Sequence, residues 1–236
     1  MLGERIFKVV VNIFCVVSLY SIMGRDDCDF LDKRVGGPTE RPLYYANYPC
    51  QKVPQYLDGF YLFKLAYHLY ELGYTIVMQR KRPDFPEYAL HHLMTWSLIF
   101  FSYSLNMLPI GAAVMILHDL TDLACTLFKL TVDITPIFVQ ATTYIVMLVS
   151  WVYLRLWYYP VHVIWRLHEE CYEDEVCKNM QYSALNMLFA FLSGLCCLHV
   201  FWFYLMVKGL IRRFRSKTSF KDAVSMGSSV NRSSSE

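Results

Sequence analysis

Five side chains with catalytic potential stand within one strongly hydrophobic stretch, residues 91–122, which reads HHLMTWSLIFFSYSLNMLPIGAAVMILHDLTD. They are His91, His92, His118, Asp119 and Asp122. An imidazole beside a carboxylate has the parts for acid–base chemistry, because the carboxylate orients the ring and supports its cationic form. The cysteines and histidines show no zinc-type spacing, so the sequence predicts no metal site.

The spacing of the polar residues predicts two amphipathic helices joined by a tight turn. Between residues 88 and 107, one helix face carries the polar side chains at i, i+4, i+11 and i+15, which are His91, Thr95, Ser102 and Asn106. Between residues 109 and 130, a matching stripe contains Gly111, Met115, His118, Asp122 and Lys129. A turn at 106–109 makes the helices antiparallel, which places His91 and His92 nearly level with Asp122 and His118 about one turn deeper.

The composition is typical of a membrane protein. Of the 236 residues, 56% are hydrophobic and only 18% are charged, and the mean hydropathy is +0.30. Six apolar runs approach the roughly 20 residues that a helix needs to cross a bilayer. We therefore predict an all-α, polytopic membrane bundle of about six transmembrane helices, near 6–23, 57–78, 88–107, 109–130, 133–158 and 181–211. In this prediction Pro136 and Pro160 mark the two ends of the fifth helix.

Two basic clusters, RKR at 80–82 and KGLIRRFRSK at 208–217, orient the chain. Basic residues favour the cytosolic side of a membrane, so both clusters and both chain termini are expected in the cytosol, and the loops at 24–56 and 166–180 in the lumen. An oxidising lumen permits a disulfide between Cys171 and Cys177, with free thiols as the alternative. The predicted segments are an N-terminal anchor at 1–23, a lumenal loop at 24–56, a membrane domain at 57–213 and a disordered Ser-rich tail at 214–236.

Ionisable groups in a bilayer need a buried setting. An ionised side chain at bilayer depth costs about 2.5–3.5 kcal/mol on insertion scales, so the five groups should face the bundle interior and line a cavity. Simple interhelical hydrogen bonding that fixes packing is the alternative. The second helix adds Lys64, His68 and Glu71 at i, i+4 and i+7, which either extend the cavity or hold a structural Lys64–Glu71 salt bridge.

The whole array resembles the TLC-domain proteins and, within them, the ceramide synthases. The resemblance rests on Asp84-Phe85, His91-His92, Ser102, Asn106, Gly111, His118-Asp119, Asp122 and Lys129, together with ERIFK at 4–8, Arg155 with Tyr159-Pro160, and LHVFW at 198–202. Two positions depart from the family pattern: Pro109 replaces an arginine and Thr126 replaces a glutamate. The family usually has a further span ahead of this region, so the chain is expected to be either a short member or an incomplete sequence.

The resemblance implies transfer of a fatty acyl group from acyl-CoA to the amine of a sphingoid base, without a cofactor. It implies that His91 or His92 is the nucleophile or base, by way of a transient acyl-imidazole, with His91 favoured because it shares a face with Thr95 and Ser102. Asp119 and Asp122 would orient the imidazoles, and His118 would serve as a second base. Ser102, Asn106, Thr95 and Lys129 would contact the substrate, with plain helix packing as the alternative for Ser102 and Asn106.

The mouth of the cavity carries Arg80, Lys81 and Arg82, which would meet the phosphates of CoA or act only as topology signals. Arg155 is placed near the lumenal end of the fifth helix and is given no role toward CoA. The implied partners are acyl-CoA, a sphingoid base, membrane lipids and a homo- or heterodimer partner, without nucleic acid, in the endoplasmic reticulum membrane. The rival interpretations are a non-enzymatic or inactive TLC protein in lipid sensing or membrane homeostasis, and a proton-coupled transporter.

Overall fold

The computed structural model describes residues 2–23, 53–82, 84–173 and 181–216. Most of the predicted loop at 24–56, Cys177 and the tail from residue 217 lie outside these ranges. The α-helices of the described part are α1 (Leu2–Met23), α2 (Leu57–Met78), α3 (Phe85–Ser104), α4 (Leu108–Ile134), α5 (Ile137–Ser150), α6 (Trp165–His168) and α7 (Tyr182–Ser216). Two π-helical segments, π1 (Trp151–Tyr158) and π2 (Pro160–Ile164), link α5 to α6, and a third, π3 (Glu169–Glu173), follows α6.

The described ranges contain helices and connecting turns, which confirms the all-α prediction. Four helical runs in these ranges are long and apolar enough to cross a membrane: Leu2–Met23, Leu108–Val132, Ile137–Tyr172 and Tyr182–Arg212. Helices α2 and α3, with 22 and 20 residues, are long enough to span about 30 Å at 1.5 Å per residue. They are less apolar because they carry part of the polar stripe that the sequence placed inside the bundle.

The predicted end of the fifth membrane helix is wrong. Pro160 was expected to end it near residue 158, but the helical run continues from Ile137 to Tyr172. Pro160 begins π2, where the first turn of a helical segment has no partner for the missing N–H, so the proline does not break the run. The longer helix moves the residues around 155 from the end of a span to its interior.

Consecutive helices pack as antiparallel neighbours around α4. Helix α4 contacts α1, α3, α5 and π1, while α2 packs on α3 and α3 packs on α7. We call the end of the bundle with the α3–α4 connection the hairpin end, and the end with residues 79–84 the basic end. The outward faces are apolar, with Val10, Val17 and Val149 each more than half exposed, as expected of surfaces that face lipid.

A tight turn joins α3 to α4, as the sequence predicted. Asn106 has a left-handed backbone with φ of 55°, a conformation that asparagine tolerates better than most residues. The backbone N–H of Met107 donates to the carbonyl oxygen of Ser102 at 2.7 Å, and Pro109 lies in the first turn of α4. The short turn fixes the vertical register between the histidines of α3 and the acidic residues of α4.

Gly111 lets α3 and α4 approach closely near the hairpin end. A Cβ atom at this position would lie 2.6 Å from the Ser102 hydroxyl oxygen and 3.0 Å from the Ser102 Cβ atom, and it would also collide with the Tyr61 hydroxyl. Small residues at such contacts allow helices to pack without a hydrophobic driving force in lipid.

Gly111→Ala is expected to lower the stability of the bundle by about 1–3 kcal/mol, because the added methyl group overpacks the α3–α4 contact. Thermal unfolding in detergent micelles measures the effect. Gly73→Ala is the matched control, since a Cβ atom there meets nothing within 4 Å and alanine is the better helix former. An equal or higher melting temperature for Gly111→Ala than for Gly73→Ala would contradict the close contact.

Candidate active site

The structure brings the five predicted chemical residues into one region of the bundle. His91 and His92 lie on α3, and His118, Asp119 and Asp122 lie on α4. The three histidines and Asp119 are buried, whereas the Asp122 side chain is 42% exposed. The site is therefore sealed except at Asp122, where a substrate group can approach.

The Asp119 carboxylate binds a buried lysine. Lys64 Nζ on α2 donates to Asp119 Oδ1 at 2.6 Å, and both side chains are at least 95% buried. The Lys64–Glu71 salt bridge considered from the sequence is wrong, because Glu71 accepts instead from Lys8 on α1 at 2.9 Å. The two residues lie on the same helix, but each finds a counter-charge on a different neighbouring helix.

Arg155 on π1 lies at the centre of the site, which corrects its predicted place near the end of the membrane. Its guanidinium donates to the Asp122 carboxylate, to the Thr121 hydroxyl at 2.5 Å and to the His118 carbonyl oxygen at 3.3 Å. The guanidinium also stacks 4.3 Å from the centre of the Trp151 ring. These contacts place the guanidinium level with the Asp122 carboxylate, within the helical run Ile137–Tyr172.

His118 pairs with a histidine that the sequence did not single out as a site residue. His118 Nδ1 lies 2.7 Å from the Val114 carbonyl oxygen, which can only accept, so Nδ1 carries the proton. In the neutral ring, Nε2 is then the acceptor, and it faces His199 Nε2 of α7 at 3.0 Å. His199 must therefore donate from Nε2, and its Nδ1 is left as a buried acceptor without a partner in the described ranges.

His91 and His92 have ring nitrogens that make no hydrogen bonds to the other described residues. Within the described residues, Nδ1 of His91 and both ring nitrogens of His92 are buried without a hydrogen-bond partner. His91 packs edge-on against Trp202 of α7, with 5.1 Å between ring centres, and His92 packs against Tyr88 at 4.5 Å. Among the described residues, no hydrogen bond joins either ring to a carboxylate; Asp119 and Asp122 bind cations instead.

A narrow apolar slot with a cavity volume of about 40 Å³ runs from His118 toward the hairpin end. Its lining includes Thr95 and Ser102, two of the residues predicted to contact a substrate, and His118 supplies its third polar group. The Ser102 hydroxyl already donates to the Ile99 carbonyl oxygen of its own helix at 3.1 Å, which agrees with the helix-packing alternative for this residue. Asn106 lies in the hairpin turn, remote from His91 along α3.

The slot is otherwise lined by aliphatic side chains from α3, α4, α6 and α7, among them Leu98, Ile110, Leu167, Leu188, Leu192 and Leu195. A lining of this kind suits a hydrocarbon chain, since it provides contact without hydrogen-bond partners.

At the basic end, one cation is paired with a carboxylate and three others are exposed. Arg82 donates two hydrogen bonds of 3.0 Å to the Asp84 carboxylate and stacks on Tyr88, so its charge is already compensated. Arg80, Lys81 and Lys129 are exposed at the same end. An anionic group would therefore meet Arg80, Lys81 and Lys129 before Arg82.

Two remaining sequence predictions concern Thr126 and the cysteines. Thr126 accepts a hydrogen bond from Asn12 of α1 at 3.3 Å, so a helix contact occupies the position of the absent carboxylate. Cys171 is disulfide-bonded, and its predicted partner Cys177 lies outside the described residues, so that pairing stays a prediction. The cysteines within the spans, Cys15, Cys125, Cys196 and Cys197, are free thiols.

Sequence reasoning missed two members of the cluster, Arg155 and His199, which stood in segments that resembled the family without a role. It named Lys64 only as one of two alternatives, extending the cavity or pairing with Glu71. The partners of these residues could not be read from the sequence, because their hydrogen bonds within the site join residues at least 33 positions apart.

Comparison with known proteins identifies the family of the chain. Residues 2–208 match the family model described as TRAM_LAG1_CLN8, the TLC domain. The chain is 26% identical over 212 residues to ceramide synthase LOH2 of Arabidopsis thaliana, covering 86% of this chain and 70% of that protein. It is 33% identical to ceramide synthase 4 of Bos taurus over 69% of this chain and 40% of that protein. For ceramide synthase 5 of Homo sapiens, the identity is 32% over 77% and 46% of the two chains.

Lys64→Met is expected to destabilise the bundle by about 3–5 kcal/mol, because it leaves the Asp119 carboxylate buried without its counter-charge. The double variant Lys64→Met with Asp119→Leu is expected to recover most of that loss, since the buried charge is gone. Unfolding in detergent measures both variants, and Lys81→Met serves as the control at an exposed lysine. A double variant no more stable than the single variant would contradict the pairing.

Proposed function

The chain belongs to the TLC-domain family, and from that premise we propose that it is a ceramide synthase. It transfers a fatty acyl group from acyl-CoA to the amine of a sphingoid base and so makes ceramide or dihydroceramide. The relatives with this name are similar over most of the present chain, which spans between 40% and 70% of the length of the three compared above.

One observation carries the proposal: two buried histidines with unbonded ring nitrogens lie on the same helix as Thr95, which lines an apolar slot inside the membrane bundle. A ring nitrogen without a hydrogen-bond partner keeps its lone pair available for attack on a carbonyl carbon. His91 is the preferred nucleophile, because Thr95 lies one turn away on the same face and lines the slot. His92 is the alternative, since both of its ring nitrogens are unbonded.

The reaction proceeds in two balanced steps. The neutral imidazole attacks the thioester carbonyl, the C–S bond breaks, and the ring N–H proton passes to the thiolate, which leaves as CoA thiol. The sphingoid base arrives as an ammonium ion and loses one proton, and the free amine then attacks the acyl-imidazole carbonyl as the C–N(imidazole) bond breaks. Of its three N–H protons, one stays in the amide, one returns to the imidazole and one is released.

The charged neighbours support these steps by their position. Asp122 is the accessible carboxylate, so it is the group that attracts the incoming ammonium and holds it near His91. Arg155 neutralises Asp122 in the resting site and fixes its orientation. Its guanidinium also acts electrostatically on His91, as does Asp122. His118 holds the inner end of the reacting centre, with its tautomer set by Val114 and His199.

The two ends of the site suit the two parts of acyl-CoA. Arg80, Lys81 and Lys129 provide positive charge for the phosphates at the basic end, and the slot accepts the hydrocarbon chain toward the hairpin end. This arrangement fits a basic end in the cytosol and a hairpin end in the lumen of the endoplasmic reticulum, with the C-terminus cytosolic. The steps use side chains alone, so no cofactor is required. Assembly as a homo- or heterodimer remains part of the proposal.

His91→Ala and His92→Ala separate the two candidate nucleophiles. The unmodified protein is expected to gain the mass of one acyl group after incubation with acyl-CoA alone, at a site that peptide mapping assigns to His91. His91→Ala should lose the adduct and at least about a hundredfold of the rate of amide formation with sphinganine. His162→Gln, at a histidine outside the site, is the control that should retain both.

An adduct that persists in both alanine variants, or full amide formation by both, would refute the assigned nucleophiles. Absence of amide from the unmodified protein, with a bound lipid or proton flux instead, would favour the sensing or transport alternatives.

The slot predicts a dependence on acyl-chain length. Leu188 lines the slot near the hairpin end, so Leu188→Ala should deepen it and favour longer acyl-CoA, whereas Leu188→Trp should favour shorter chains. Each change should alter the rate ratio between chain lengths by at least about tenfold, the effect of one or more methylene groups in an apolar pocket. Leu62→Ala, on the lipid-facing side of α2, is the control. A change in preference among sphingoid bases instead would assign the slot to the other substrate.

A further inference from the structure

A second polar feature leads away from the site on the side opposite to the slot. Helix α2 carries Lys64, His68, Glu71 and Thr75 at i, i+4, i+7 and i+11, a spacing that keeps them on one face. Lys64, Glu71 and Thr75 are buried, and His68 lies between Lys64 and Glu71 with its Nδ1 atom enclosed. The proposed steps of acyl transfer do not use this stripe.

The stripe connects the site to the surface at the basic end. Its inner member Lys64 binds Asp119, and its outer member Glu71 binds Lys8, which in turn contacts Glu4 at 3.6 Å. The exposure of the side chains rises steadily in this direction: 2% for Lys64, 5% for Glu71, 19% for Lys8 and 36% for Glu4. The row ends in an open pocket at the basic end that Glu4, Lys8 and Glu71 help to line.

Several atoms along the row are polar, buried and without partners in the described ranges. They are Asp119 Oδ2, His68 Nδ1 and Thr75 Oγ1. Buried polar atoms in folded proteins are hydrogen-bonded, and where protein groups do not reach them, ordered water does so. A row of charged and hydrogen-bonding groups of this kind is suited to moving protons, and an imidazole can accept a proton on one nitrogen and release it from the other.

We propose that this row carries the excess proton of acyl transfer from the buried site to solvent at the basic end, with His68 as the relaying side chain. The inference rests on the proposed function, because the excess proton is the one that the ammonium of the sphingoid base must lose before its amine attacks the acyl-imidazole. The apolar slot offers no acceptor on its side of the site beyond Thr95, Ser102 and His118. The Asp119 oxygen that Lys64 leaves unbonded is the first acceptor in the row.

The electrical surroundings of His68 suit a transient carrier. The titratable groups that act on it are Lys64 on its own helix, His91 and His92 on α3, and His118 on α4. The Lys64 ammonium on the inner side repels a proton at His68, so a proton that reaches His68 is passed outward toward the Glu71 carboxylate. On an α-helix, residues three and four apart are neighbours, so His68 is adjacent to both Lys64 and Glu71.

His68→Gln tests the relay, because glutamine keeps a polar side chain but does not titrate. Acylation by acyl-CoA releases no excess proton, so the rate of adduct formation should equal that of the unmodified protein. Amide formation from sphinganine in dilute buffer should fall about tenfold or more, with the acyl adduct accumulating. Added imidazole should restore the rate, since a small neutral base can accept the excess proton and carry it away in place of the missing ring. Glu71→Gln should give the same pattern, and His162→Gln should give none of it.

A merely structural role would slow acylation and aminolysis together and would not respond to imidazole. Either that result or an unchanged rate of amide formation in His68→Gln overturns the relay while leaving the proposed function intact. Failure of the unmodified protein to form amide overturns both.

Discussion

Charge in a low-dielectric interior must be compensated locally, and this constraint organises the whole bundle. Three pairs meet it across helix boundaries: Lys64 with Asp119, Arg155 with Asp122, and Lys8 with Glu71. Each pair joins two different elements, so together they tie α1, α2, α4 and π1 to one another. A rotation of any of these helices by a fraction of a turn would separate a charge from its partner at a cost of several kcal/mol. The pairs thereby fix helix orientation as well as satisfying charge.

The pairing also decides what the histidines can do. Because the carboxylates bind Lys64 and Arg155, they do not hydrogen-bond the imidazoles of His91 and His92 in the resting site. These rings are held instead by aromatic contacts with Trp202 and Tyr88, which position an imidazole without occupying its nitrogens. A nucleophile that is fixed in place and not hydrogen-bonded suits acyl transfer in a site closed to bulk water.

The site has opposite surroundings at its two ends, and this polarity matches amphiphilic substrates. Toward the hairpin end lies the aliphatic slot, and toward the basic end lie the charged row of α2 and the exposed cations. Helix α4 contributes to both ends of the site, since Gly111 lines the slot while Asp119 and Asp122 bind Lys64 and Arg155. The close α3–α4 contact at Gly111 therefore shapes the slot and sets the depth of the histidines at the same time.

The sequence by itself determined the class of fold, the α3–α4 hairpin and the five chemical residues. Hydropathy and helical spacing are local properties, so residues 91–122 alone predicted two antiparallel helices that bring His91, His92 and Asp122 to one depth. Only the tertiary structure decided which charges pair. The bond from Lys64 to Asp119 and the contact between His118 and His199 depend on how separate helices rotate and pack, and residue spacing does not encode that rotation. Arg155 shows the same limit, because the helical run continues past Pro160 to Tyr172, whereas the sequence rule for proline assumed an ordinary helix end.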